Sequence, residues 1–449
     1  MALGTDVVPA CRWVWWARQA GVVTVYSRPI PGLVSRDHVV EAPLDHARPS
    51  GKTLSVYARE VRSVERFGED LPWLLFLQGG PGGKAPRPTS RTGWLAEAIK
   101  NYRVLLMDQR GTGRSTPVTD RTPAGFPDPA SLGDYLALFR ADAIVRDAEI
   151  LRATLTGDAK WTTLGQSYGG FCTVTYLSLA PEGLDKCLIT GGVPGLTATA
   201  EDVYQRTWPR MIAKNAEHAR RFPADQAILN RLRDAIRSRP PDTPIRLPGG
   251  DPLTVQRLQA LGIVFGMSYG FAEIHYLLEE AFDADEVSTA FLAEVEQRTR
   301  HLSAPLYAVL QEVIYCSGTS SRWAAEHVRA DFPQMSPDAP DLLLTGEMKE
   351  SSIFRDEAAL KPFAQAMHLL NEKADWPNLY DPDQLAHNQV PVAAAIYFDD
   401  LYVDSELSLQ TAAHIPNLRP WVTNEFEHDG LRSEARVFTR LHDLATGRA

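Results

Sequence analysis

Two patterns of apolar residues divide the chain. In the first, short apolar runs end on glycine-rich or polar turns. Trp73–Leu77 precedes Gln-Gly-Gly-Pro-Gly-Gly (78–83), and Arg103–Met107 precedes Asp-Gln-Arg-Gly-Thr-Gly-Arg-Ser (108–115). Runs without polar alternation belong to strands covered on both faces, so they predict a buried, mostly parallel sheet. Residues 161–165 and 186–190 read as further strands, as do 39–43 and 54–61 around the turn at 45–51. Residues 139–155 carry apolar positions at helical spacing, and 169–180 reads as a buried helix stopped by Pro181.

The second pattern begins after Leu196. Residues 210–236 and 272–300 are rich in helix formers with charged faces, and strand character returns only at 390–398. A helix, a short strand near 419–422 and a closing helix from about Ser433 follow. The expected fold class is α/β. A mostly parallel central sheet with helices on both faces is formed by 1–196 and 386–449, and a large helical cap over 197–385 interrupts it.

The chain has 449 residues, 44% hydrophobic and 23% charged, which suits a globular protein with a sizeable core. Its net charge of −10 argues against nucleic acid and anionic membranes as partners. No apolar run approaches the ~20 residues that span a bilayer. The apolar stretch at 12–16 is short and is followed by Arg18 and Gln19, so residues 1–25 are expected to be an N-terminal arm rather than a signal peptide. Cys11, Cys172, Cys187 and Cys316 form no C-x-x-C pair, which fits a reducing cytoplasm and excludes zinc and redox motifs. Cys172 and Cys187 stand in apolar stretches and are expected in the core.

Gly165-Gln-Ser-Tyr-Gly169 lies between a predicted strand and a predicted helix. In that setting G-x-S-x-G is a tight, strained turn that lifts a serine above the sheet edge, at a helix N-terminus that favours developing negative charge. Ser167 is the candidate nucleophile; the competing reading is a glycine-rich turn with a surface serine. Acyl transfer also needs two fixed N–H donors for an oxyanion. One belongs to the residue after the nucleophile, Tyr168, and the other to a glycine-rich loop after an early strand, here 78–83.

A serine needs a base, and the base an orienting acid. In the order serine, acid, histidine, the base must follow the returning strand. His414 precedes the last strand and His442 lies in the closing helix, whereas His428 stands in a loop, Asn-Glu-Phe-Glu-His-Asp-Gly (424–430). The acid should end the strand at 390–398, where Asp399 and Asp400 are adjacent and Asp404 is an outside option. Asp400 is preferred, although alternation does not decide between neighbours.

Together these residues resemble the larger subgroup of the prolyl aminopeptidase (proline iminopeptidase) family. The matching segments are 77–82, 108–115, 165–171, Leu-Thr-Gly-Glu-Met (344–348), Tyr-Phe-Asp-Asp-Leu-Tyr-Val (397–403) and Glu-His-Asp-Gly-Leu-Arg (427–432), in family order over most of the chain. The resemblance implies an α/β-hydrolase fold. It also implies release of N-terminal proline from small peptides with a free N-terminus, by an acyl-enzyme route without metal or cofactor. It assigns Ser167, Asp400 and His428 to the catalytic triad, and the backbone N–H groups of Gly80 and Tyr168 to the oxyanion hole. Glu347 resembles a cap glutamate that holds the substrate amine, with Glu273 a looser match because Ala272 stands where the family has glutamate. Lys349-Glu-Ser-Ser352 replaces residues that are commonly bulky and aromatic, so the bordering pocket is expected to be wider or more polar.

Two other readings remain at this point. An esterase or amidase of the same fold would use the same triad without an amine anchor, and a non-catalytic binding protein of this fold would usually lack a triad member. Asp108 and Arg110 are expected to staple loops rather than to catalyse. Trp94, Trp208, Trp323 and Tyr269 are expected to pack in core or cap.

Overall fold

The computed structural model describes residues 18, 19, 22, 23 and 25–449, with side chains from residue 30 onward. The expected arm over 1–25, with Cys11, falls outside the described residues apart from those few positions. A nine-stranded sheet dominates. Its strands are β1 (Val25–Ile30), β2 (Leu33–Pro43), β3 (Thr53–Ser63), β4 (Trp73–Leu77), β5 (Arg103–Met107), β6 (Trp161–Gln166), β7 (Leu184–Thr190), β8 (Val392–Tyr397) and β9 (Leu418–Thr423). In space they run β9-β8-β7-β6-β4-β5-β3-β2-β1. Strands β4 to β9 pair in parallel, and β1–β3 form an antiparallel edge joined to β5. The strands β2 and β3 are longer than the 39–43 and 54–61 expected, because polar residues such as Ser35, Arg36 and Asp37 in β2 and Arg62 and Ser63 in β3 interrupt the apolar run although none of them is exposed.

The period of two in each strand divides its side chains between two cores. Leu75 and Leu77 of β4 enter one apolar cluster while Leu74 and Phe76 enter the other. Ala394 and Ile396 of β8 likewise oppose Ala393, Ala395 and Tyr397. Helices α1 (Gly93–Ala98) and α6 (Ala435–Thr446) cover the second face; α2 (Ala141–Thr156), α3 (Tyr168–Leu179) and α5 (Ser405–His414) cover the first. Cys172, Cys187 and Cys316 are free and buried, and burial pushes the Cys187 and Cys316 thiols up to about 12.

The strand order reverses where β4 lies between β5 and β6. The loops leaving β4 and β6 therefore diverge to opposite sides, and a crevice opens at their carboxyl ends. Above it stands a third apolar cluster built on α4 (Ala200–Arg221), with Trp208 and Met211 at 0% exposure. A reciprocal capping box of Thr199 and Asp202 starts α4. Segments around Leu306–Leu310 and 354–385 join the sheet-side cluster instead, through Leu306, Phe354, Phe363 and Leu385. A small antiparallel hairpin, Phe282–Asp283 with Glu286–Val287, interrupts the helical stretch. Among the described residues no helix is long and apolar enough to cross a membrane.

Candidate active site

Ser167 lies between β6 and α3 at φ 56° and ψ −126°. A non-glycine residue holds positive φ only where its surroundings enforce it. Here the Ser167 N–H donates to the Thr190 carbonyl at 3.0 Å and its own carbonyl accepts the Gly170 N–H at 2.7 Å. Glycines permit the crowding. A Cβ at Gly165 would come within 2.4 Å of the Gly169 carbonyl oxygen, and one at Gly169 within 1.9 Å of the Leu77 carbonyl oxygen. Both obstacles are backbone, so Gly169→Ala is expected to destabilise the fold by about 3 kcal/mol or more in urea unfolding; an unchanged midpoint would refute the close approach.

The loop after β4 lies against this turn. A Cβ at Gly79 would meet the Ser167 Cβ at 2.7 Å, and Gln109 Nε2 ties the loop by donating to the Gln78 carbonyl at 2.9 Å. Gly80, Ser167, Tyr307, Glu347, Tyr402 and His428 line one cleft of about 310 Å³. Tyr168 contributes backbone only: it opens α3, where the first N–H groups have no helical acceptor, and its ring is buried.

His428 follows β9 in an irregular loop, and its N–H donates to the Gly266 carbonyl at 3.0 Å. Its Nδ1 meets Asp400 Oδ2 at 2.7 Å. The other carboxylate oxygen, Oδ1, accepts the N–H groups of Tyr402 at 2.8 Å and Val403 at 3.1 Å. Asp400 is 1% exposed whereas Asp399 is exposed to solvent. Asp404 caps α5 through Leu407 N–H and pairs with Arg210. Burial opposes charge on His428, but the charge and hydrogen bond of Asp400, with Glu347 behind them, outweigh it and hold the imidazole above its ordinary value of 6.5. The Tyr402 ring stands edge-on to the imidazole at 4.8 Å.

Glu347 faces the same cleft, and Tyr307 Oη donates to its Oε1 at 2.6 Å. Burial raises its carboxyl above the usual range; the Tyr307 hydrogen bond and the charges of His428 and Lys349 offset this only in part. Glu273 is not brought to these residues. It stands outside the cleft walls and its carboxylate is taken by Arg298, because α-helical spacing turns it toward the neighbouring helix Thr289–Thr299. Sequence reasoning missed Tyr307, which carried no signal beyond an apolar helix, and gave no role to Tyr402 although it stood in a quoted segment.

Asp108 and Arg110 staple loops: Arg110 pairs with buried Asp147 at 2.6 Å, and Asp108 holds Arg87 and the N–H groups of Ala85 and Arg114. Trp94 stacks on Phe76, Trp208 is buried, Trp323 packs on Phe354 and Tyr269 is exposed. His414 binds the Pro382 carbonyl and His442 the Tyr102 hydroxyl. Among the described residues no group of three or more His, Cys, Asp or Glu is arranged to hold a metal ion.

Residues 72–255 match the model of the alpha/beta hydrolase fold family. The proline iminopeptidase of Aeromonas sobria is 45% identical over 415 residues, covering 92% of this chain and 96% of its own. The proline iminopeptidase aneH of Aspergillus aculeatus is 33% identical over 407 residues, covering 88% of this chain and 90% of its own. Likeness at that level across nearly the whole of both chains makes this protein a member of the proline iminopeptidase family of α/β-hydrolases.

Proposed function

We propose that this chain is a serine aminopeptidase that releases N-terminal proline from small peptides through an acyl-enzyme. The observation that carries the reading is the buried Asp400–His428 pair in one cleft with Ser167 and the Glu347 carboxylate. The names of the two relatives support the substrate class. The few scattered cysteines support a cytoplasmic setting.

Asp400 keeps the proton of neutral His428 on Nδ1, so Nε2 is free to take the Ser167 Oγ proton as Oγ attacks the prolyl carbonyl. The oxyanion is met by the backbone N–H groups of Tyr168 and Gly80, and the dipole of α3 adds to their effect. The imidazolium then protonates the leaving amine, and water repeats the sequence on the ester. A prolyl N-terminus is a secondary ammonium, and Glu347 binds it by a charge-assisted hydrogen bond. Tyr307 fixes the rotamer of that carboxylate.

Initial rates on prolyl p-nitroanilide, N-blocked prolyl p-nitroanilide and p-nitrophenyl acetate test the reading. Turnover of the free-amine anilide with the blocked form inert is expected. Ester turnover with no anilide hydrolysis would move the chain to the esterases. Glu347→Gln is expected to cost about 10- to 100-fold in kcat/KM on prolyl p-nitroanilide, the value of a hydrogen bond to a charged group, and little on p-nitrophenyl acetate. Equal losses on both would remove the amine-anchor role.

A further inference from the structure

A second pocket lies behind the part of the cleft wall that His301 and Tyr307 form; both residues, with Ile263 and Arg300, line the two spaces. The carboxylates on its other walls already have hydrogen-bond or ion-pair partners, although the imidazole that meets Glu357 is held neutral by burial. Glu357 meets His301 Nδ1 at 2.8 Å, Glu350 pairs with Arg329, and Asp356 pairs with Arg355 at 2.7 Å. Two of its cations keep unused donors. Lys349 is 8% exposed, its Nζ stands 4.9 Å from the Tyr307 ring centroid, and no described residue gives it a hydrogen bond or an ion pair. Arg257, also 8% exposed, donates Nε to Thr299 and Nη1 to Asp251, while its Nη2 is buried without a partner. Arg300 is exposed at the boundary with the cleft. Buried cations are costly unless a counter-charge is supplied, from the protein or from a ligand.

Lys349, Glu350 and Ser352, from the segment expected to border a wider or more polar pocket, line this space. Burial lowers the Lys349 pKa against the opposing charges of Glu347 and Glu357.

We propose that this pocket binds a carboxylate, with Lys349 as its charged anchor and Arg257 Nη2 as a second donor. Tyr307, whose hydroxyl holds Glu347, lines both the pocket and the cleft, which puts the pocket on the amine side of a substrate bound as proposed. The carboxylate is then either the side chain of an acidic N-terminal residue or a free anion. The substrate alternative rests on the aminopeptidase reading; binding of a free anion does not.

Calorimetric titration of the whole protein with sodium succinate, at fixed ionic strength against sodium chloride, tests the site directly. Saturable binding is expected, weakened at least about tenfold by Lys349→Met and kept by Lys349→Arg. The substrate arm compares kcat/KM for glutamyl and glutaminyl p-nitroanilide, which differ only in charge at the side-chain end. A glutamyl preference of about tenfold, competed by succinate, assigns the site to substrate. Succinate binding without that preference assigns it to a free anion. Wild-type protein showing neither overturns the proposal whatever the variants do, and Lys349→Met binding succinate as tightly as wild type removes the anchor. If prolyl p-nitroanilide is inert, the aminopeptidase reading falls while the succinate titration still decides the pocket.

Discussion

Ser167→Ala is expected to lower kcat on prolyl p-nitroanilide by about 10⁴- to 10⁶-fold, with the urea midpoint nearly unchanged. The two outcomes separate because different atoms serve the fold and the chemistry. The turn is held by backbone: the Ser167 N–H on the Thr190 carbonyl and the Gly170 N–H on the Ser167 carbonyl. Alanine keeps both and occupies the same positive φ with no larger side chain. What it loses is the hydroxyl oxygen that carries the acyl group in the proposed mechanism. The proposed oxyanion donors and amine site remain, so a residual rate of about 10³–10⁴ over water is expected to survive. Activity within tenfold of wild type, after removal of contaminating peptidase by a second purification, would strike Ser167 from the mechanism.

The alternating architecture was legible because it rests on local pattern. Strands such as β8, buried along its whole length, must read as unbroken apolar runs, and α2, which covers the sheet with one face, must show a 3.6-residue period, whereas α3 is buried on every side. The turn at Ser167 was legible for a related reason: the glycines at 165 and 169 are demanded by backbone that comes within 2.4 Å of where a Cβ would stand. The choice between Asp399 and Asp400 was not legible. Beyond Tyr397 the chain leaves the sheet, so the period of two no longer applies. The direction of each side chain is set instead by the Tyr402 and Val403 N–H groups and by a histidine 28 residues away. Glu273 and Glu347 differ in the same way. Both are glutamates in helical or irregular cap sequence, and only tertiary packing gives one to Arg298 and the other to Tyr307 in the cleft.

Asp400→Asn is expected to cost about 10⁴ in kcat on prolyl p-nitroanilide, while Asp399→Asn stays within a few-fold of wild type. The reason lies in how the two carboxylate oxygens are used. Oδ1 accepts two backbone N–H groups, so in the variant the amide oxygen must stay there and the amide NH₂ must turn toward His428 Nδ1. A donor facing Nδ1 forces the imidazole proton onto Nε2, and a protonated Nε2 cannot accept the Ser167 proton. The pH profile gives an independent reading. The proposed mechanism needs neutral His428, and Asp400 holds its pKa above 6.5 in the wild type. The acid limb of kcat/KM is therefore expected above pH 6.5 in the wild type and lower in Asp400→Asn, because loss of the carboxylate removes the charge that favours the imidazolium. A large loss in Asp399→Asn with a mild one in Asp400→Asn would reverse the pairing. An acid limb that does not move in Asp400→Asn would mean that the group titrating in the wild type is not His428, and Glu347, whose carboxyl is also raised by burial, would take its place.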